Sequence, residues 1–191
     1  MELFDVVNEY GEPTGDVVDR ETAHLEGVRH RTAHLWLLRE RDGNTEILLQ
    51  KRAQTKSFPG CYDISSAGHI PAGDEYRESA VRELREELGV TAEESELIYC
   101  GDKYITWDDV FFGKPYHDRQ YTRVFMLWKD LDEDRFSLQK EEVDSVLWMD
   151  IEQCIEGVKE NGFMNCIDLE ELMMVQRTIR DLKMKKPETY K

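Results

Sequence analysis

The stretch GHIPAGDEYRESAVRELREELGV, residues 68–90, decides how the rest of the chain is read. It is a glycine-bearing loop running into a helix-period pattern, in which Ala80, Val81, Leu84 and Leu88 make one apolar stripe. Glu83, Glu86 and Glu87 fall together along the border of that stripe, because side chains three and four apart are neighbours on a helix. Each like-charged pair there costs roughly 0.2–0.5 kcal/mol, a repulsion that a divalent cation removes. The reading is a helix fixed on a core, with its carboxylates turned to a metal and a diphosphate. Arg77, Glu78 and Arg85 lie farther round and are expected to face water.

The segment just upstream, TEILLQKRAQTKSFPG, reads as a strand over residues 45–51 and a loop ending at the turn pair Pro59-Gly60. Lys51, Arg52 and Lys56 cluster at the strand end and in the loop, where they can hold the non-bridging oxygens of a diphosphate. Further strands are expected near residues 2–7, 16–19, 34–38, 62–66, 97–105, 121–127 and 143–149, and helices at 75–88, 151–160 and 169–183. That mixture implies an α/β layered domain spanning 1–191. Its C-terminal helix, about 168–185, packs on this domain or on a second subunit of a homodimer.

Composition narrows the function. A length of 191 residues can bury a full core, and a net charge of −16 argues against a nucleic-acid polymer as partner. No apolar run approaches the roughly 18 residues of a membrane span, and MELFDVVNEYGE has no signal-peptide pattern. The expected location is cytoplasmic. Cys61, Cys100, Cys154 and Cys166 have no CxxC spacing and read as reduced, mostly packed thiols.

The spacing of the opening stretch resembles the signature of the Nudix family. Gly68, Arg82, Glu83, Leu84, Glu86, Glu87, Gly89 and Val90 match it, and Asp74 stands where the family usually has Glu. The resemblance implies an α/β/α sandwich with a mixed β-sheet and a metal-dependent hydrolase that cleaves a diphosphate linkage. Its cofactor would be Mg²⁺ or Mn²⁺ and its substrate a small-molecule diphosphate. The implied metal set is Gly68, His69, Glu83, Glu86 and Glu87. Glu83, Glu86 and Arg82 are expected to be catalytic, with Arg82 orienting the glutamates. The general base is open among His117, Asp118, Glu141 and Glu142, of which Glu142 is carried forward as a catalytic residue.

Over about residues 1–150 the layout also resembles the isopentenyl-diphosphate isomerase branch of the superfamily. By that resemblance His24, His30 and His69 fall on metal ligands, Arg52 and Lys56 on diphosphate contacts, and Tyr104 and Asp118 on site residues. Arg52, Lys56 and Tyr104 are accordingly the expected substrate-binding residues. The isomerase's catalytic Cys and Glu are replaced by Ala67 and Gln120, and neither can do acid–base work. The balance moves to hydrolysis, with an isomerase-like enzyme and a non-catalytic phosphorylated-ligand module as alternatives. His34, inside the apolar run AHLWLL, reads as a satisfied core residue. Tyr104, Trp107, Phe111, Phe112 and Tyr116 form an aromatic-rich stretch that could stack a base, cover a prenyl chain or pack as a flap.

Overall fold

HRTAHLWLLRER forms the central strand β3 (His30–Arg41), and its unbroken Leu35, Trp36, Leu37 and Leu38 are all buried, as a strand covered on both faces requires. The structure, a computed structural model, describes residues 2–111 and 113–185. Before β3 come β1 (Leu3–Val7), β2 (Pro13–Asp19) and the short helix α1 (Arg20–Glu26). After it come β4 (Asn44–Arg52), β5 (Tyr62–Asp63), β6 (Ser66–His69) and α2 (Tyr76–Leu88). The chain continues through β7 (Ile98–Phe111), β8 (Lys114–Trp128), β9 (Val143–Asp150), α3 (Ile151–Glu160) and α4 (Leu169–Lys185).

The main sheet runs β5-β4-β3-β8-β7, with β6 added on β3 and β9 on β4. β3 and β8 are parallel and the other pairs antiparallel, so the sheet is mixed. β1 and β2 form a separate hairpin. Alternate residues of β3 feed two cores. Leu35 and Leu37 pack with Ala80, Leu84 and Leu88 of α2 on one face, while Trp36 and Leu38 pack with Cys154 and Ile155 of α3 and Leu172, Val175 and Ile179 of α4 on the other. The result is the α/β/α sandwich, and α4 is part of its core. Among the described residues no helix is long and apolar enough to cross a membrane.

The observed elements depart from expectation in three places. Residues 62–66 divide into β5 and β6, because Ile64 turns into the core between them. α1 arises from a local signal too short for periodicity to reveal: Asp19 accepts from Thr22 N at its start and Gly27 closes it in the left-handed region. β7 and β8 run on as one long hairpin through most of the aromatic stretch; Phe112 and the side chain of Phe111 lie outside the described residues.

Candidate active site

Two glycines set the position of α2, one at its end and one where it meets β6. Gly89 ends the helix at φ 69°, its N–H donating to Arg85 O, and a Cβ there would meet Ser137 Cβ at 2.6 Å. A Cβ on Gly68 would overlap the Glu83 side chain, so only glycine admits the carboxylate against the β6 backbone. Arg82 spans the group: Nη2 lies 2.9 Å from Glu83 Oε1 and donates to His69 O, and Nη1 lies 3.1 Å from Glu86 Oε2. Glu87, 5 % exposed, accepts a long bond of 3.4 Å from Ala67 N and lies beside the Ser66 hydroxyl. Burial pushes the Glu83 carboxyl up to about 7 and that of Glu87 to about 8. Negative charge is therefore undercompensated here, and these oxygen donors fit a hard divalent cation. Arg77, expected to face water, instead donates to the carbonyls of Glu94 and Leu97.

His69 points away from the glutamates and joins His24 and His30, with ligand atoms of the three rings all within 4.8 Å of one another. His24 Nδ1 bonds Arg20 O and His30 Nδ1 bonds Val28 O, each at 2.8 Å; a carbonyl only accepts, so both protons sit on Nδ1. The lone pairs of both Nε2 atoms are left to the centre of the cluster. Asp118 Oδ1 is 3.8 Å from His24 Nε2 and from His30 Nε2, while its Oδ2 accepts from Gln120 Nε2 at 2.7 Å. Nε2 of all three histidines and Asp118 Oδ1 are buried without a hydrogen-bond partner. Desolvation lowers the three imidazoles, His30 to about 4, and keeps them neutral at pH 7. Three imidazoles and a carboxylate form a donor set suited to a transition metal.

Both groups face one cleft of about 1690 Å³. Comparison with known proteins identifies the architecture around it. The family profile described as NUDIX domain matches residues 28–163. The chain belongs to the Nudix family. Among its relatives, Nudix hydrolase 3 of Arabidopsis thaliana is 38 % identical over 157 residues, 80 % of this chain, although the chain spans only 20 % of that longer protein. An uncharacterized Nudix hydrolase of Clostridium acetobutylicum is 33 % identical over 153 residues, covering 76 % of this chain and 72 % of the relative. The crystal structure of DR0079 from Deinococcus radiodurans is similar in fold, with a TM-score of 0.63 at 19 % identity, over 92 % of this chain and 98 % of that one. The chain is thus a Nudix-type diphosphohydrolase.

The remaining residues of this Nudix cleft sort unevenly. Lys56 and Glu142 both line it and are ion-paired with each other. Arg52 reaches the cleft too, but Nε donates to Ser57 O, Nη2 to Ser57 Oγ and Nη1 to Asp63, so much of its donor fork organises its own loop. Tyr104 does not line the cleft: its ring is half-exposed and its hydroxyl accepts from Arg29. Strand alternation gives the inward position to Lys103 and Ile105 instead. His117 pairs with Asp108 outside the cleft lining, and Tyr116 stacks on His24 with centroids 4.5 Å apart.

His34 corrects its core assignment. It lines the cleft, and its Nδ1 faces both oxygens of Glu171 at 2.9 and 3.0 Å. Glu171 and Lys103 are the residues sequence reasoning missed. The signal for Glu171 was present: an acid set among Leu172, Val175 and Ile179 on the buried stripe of α4.

Proposed function

We propose that this hydrolase acts on a small organic diphosphate, such as a nucleoside diphosphate derivative, with Mg²⁺ or Mn²⁺ held by Glu83, Glu86 and Glu87 beside Gly68. The observation that carries this reading is the buried, charge-deficient carboxylate set at the Gly68 backbone, opening on the cleft that Lys56 shares. When bound, the cation supplies charge neutralisation at the phosphate oxygens and acidifies a water. Arg82 holds Glu83 and Glu86 in place. Lys56 passes from Glu142 to a non-bridging phosphate oxygen, and the Glu142 carboxylate so released accepts a proton from the attacking water.

The separate set of His24, His30, His69 and Asp118 supports a second ion, and its nitrogen donors favour Mn²⁺, Fe²⁺ or Zn²⁺ over Mg²⁺. An isomerase-like reaction has little support. Ala67 carries no exchangeable side-chain proton, and the Gln120 amide is occupied on both ends, donating to Asp118 and accepting from Thr32.

The test is turnover of nucleoside diphosphate derivatives, dinucleotides and isopentenyl diphosphate with Mg²⁺, Mn²⁺ or EDTA. Cleavage that needs metal and falls by orders of magnitude in Glu83→Gln supports the assignment. Cleavage unchanged in that variant removes it.

A further inference from the structure

Phe4 is a large apolar side chain with no exposure, yet it packs in neither core of the sheet. Its neighbours are imidazoles. Its ring lies nearly parallel to that of His69, with centroids 4.8 Å apart and 9° between the planes, and to that of His30, at 5.0 Å and 19°. It stands edge-on to His24 at 6.3 Å. Stacked rings favour particular relative orientations, so such contacts carry direction as well as buried area. The strand that brings Phe4 here is pinned on both sides of it. Phe4 itself bridges to Pro71, Leu3 O accepts from Ala72 N, and Asp5 Oδ2 accepts from Arg31 Nη2 at 2.6 Å and from Gly73 N at 2.9 Å. Hairpin β1–β2, which shares no ladder with the main sheet, is thus seated on the loop that directly follows His69.

The three histidines differ in what orients them. His24 and His30 each donate from Nδ1 to a main-chain carbonyl, the outer bond that ordinarily fixes a metal-binding imidazole. His69 lacks that bond: neither of its ring nitrogens has a hydrogen-bond partner among the described residues. Its main chain is held, by pairing with Thr32 on β3 and by Arg82 donating to its carbonyl, but neither contact fixes rotation about the side-chain bonds. Outside the histidine set itself, the ring that lies against His69 among the described residues is Phe4. Its face takes the orienting part that a carbonyl plays for the other two.

We propose that Phe4 is a positioning residue of the three-histidine set, holding the His69 imidazole in the orientation in which it joins His24 and His30 around a divalent transition metal. Hairpin β1–β2 is thereby part of the metal centre. The ring brings no polar atom, so it does not compete for the ion, and its full burial keeps water from that side of the set. An apolar anchor for the hairpin would need only bulk at this position, whereas an orienting ring needs a flat face. The inference rests on the second-ion reading and adds to it the residue that orients the third imidazole.

The experiment measures Zn²⁺ affinity by chelator competition and the visible spectrum of the Co²⁺ form, both in the Glu83→Gln protein so that the glutamate set contributes little. Phe4→Leu keeps a buried apolar side chain without the flat face, Phe4→Tyr keeps the face, and Val7→Ala removes buried bulk elsewhere on β1. Expected is a loss of Zn²⁺ affinity of about 10- to 100-fold in Phe4→Leu, the range for outer-shell partners of a metal site, together with a changed Co²⁺ spectrum. Phe4→Tyr and Val7→Ala should stay well inside about tenfold, even where Val7→Ala lowers Tm. Unchanged affinity and spectrum in Phe4→Leu overturn the inference. So does equal weakening in Phe4→Leu and Val7→Ala, which would make Phe4 an anchor of the hairpin alone. A second measurement needs no variant: proton NMR of the metal-free protein should show Overhauser contacts between the Phe4 and His69 rings, and their absence overturns the inference too. If the Glu83→Gln protein binds neither ion, or if adding His30→Ala leaves both bound as tightly, the second-ion reading itself falls and takes this role of Phe4 with it.

Discussion

Replacing Gly68 by Ala adds one methyl group at the closest approach of β6 to α2. That methyl would overlap Cγ, Cδ and Oε1 of Glu83, lying more than about 1 Å inside the ~3.5 Å at which non-bonded carbons rest. The overlap is with the flexible end of a side chain, and Glu83 retains some solvent access through which to swing. The helix can therefore stay where it is while the carboxylate moves by roughly an ångström, breaking its alignment with Arg82. A displacement of that size at a reacting centre lowers turnover on the order of 10²-fold. Stability should change by only about 1 kcal/mol, well below the cost of a cavity in the core. Metal-dependent hydrolysis and thermal unfolding of the same preparation measure the two effects. Turnover within about threefold of the parent protein would show that Glu83 does not need this position, and the metal assignment built on it would go.

Other expectations follow from the same geometry. In EDTA the folded protein keeps protons on Glu83 and Glu87 up to about pH 7 and 8, whereas the unfolded chain releases them near 4.5; stability should fall as pH rises through that window. Mg²⁺ or Mn²⁺ should flatten this slope in thermal melts at pH 5 to 8, and a slope identical with and without metal would contradict the site. His30→Ala should abolish a tightly held transition metal, read by elemental analysis of purified protein, while Glu83→Gln should leave it. Tyr104→Phe should leave kcat/KM within about twofold, because the hydroxyl bonds Arg29 away from the cleft. Leu84→Ala, at a side chain with no exposure between α2 and the sheet, should cost about 2–5 kcal/mol in denaturant titration.

The chain announced its three longer helices and most of its strands because their periodicity is local. α2 was readable from Ala80, Leu84 and Leu88, and the motif beside it located Gly68, Arg82 and the three glutamates. What local patterns could not give was the partner of a side chain across the sheet. His34 looked like core because its neighbours Leu35, Trp36 and Leu37 are core. Its role depends on Glu171, 137 residues away in sequence, and on a half-turn of α4 that no window around His34 contains. Tyr104 differs for the opposite reason: the apolar pattern placed it correctly in a strand and the resemblance put it at the site, but alternation along β7 turned Lys103 inward in its stead. The three-histidine cluster was legible only through family likeness, since its rings come from α1, β3 and β6.

The parallel pairing of β3 with β8 has a consequence for how this protein is made. Thr32 and Gln120, hydrogen-bonded at the centre of the sheet, are 88 residues apart in sequence. Closing that distance precedes any reward from the contact, so the two strands meet late, and a chain dominated by such pairings folds slowly. On the ribosome, β3 emerges and must wait for all of β8 with its apolar Leu35, Trp36, Leu37 and Leu38 lacking their principal neighbour. During that interval the nascent chain offers a strand edge to any other strand, which makes this interval, rather than the finished fold, the point at which a chaperone or a low expression temperature has most to protect.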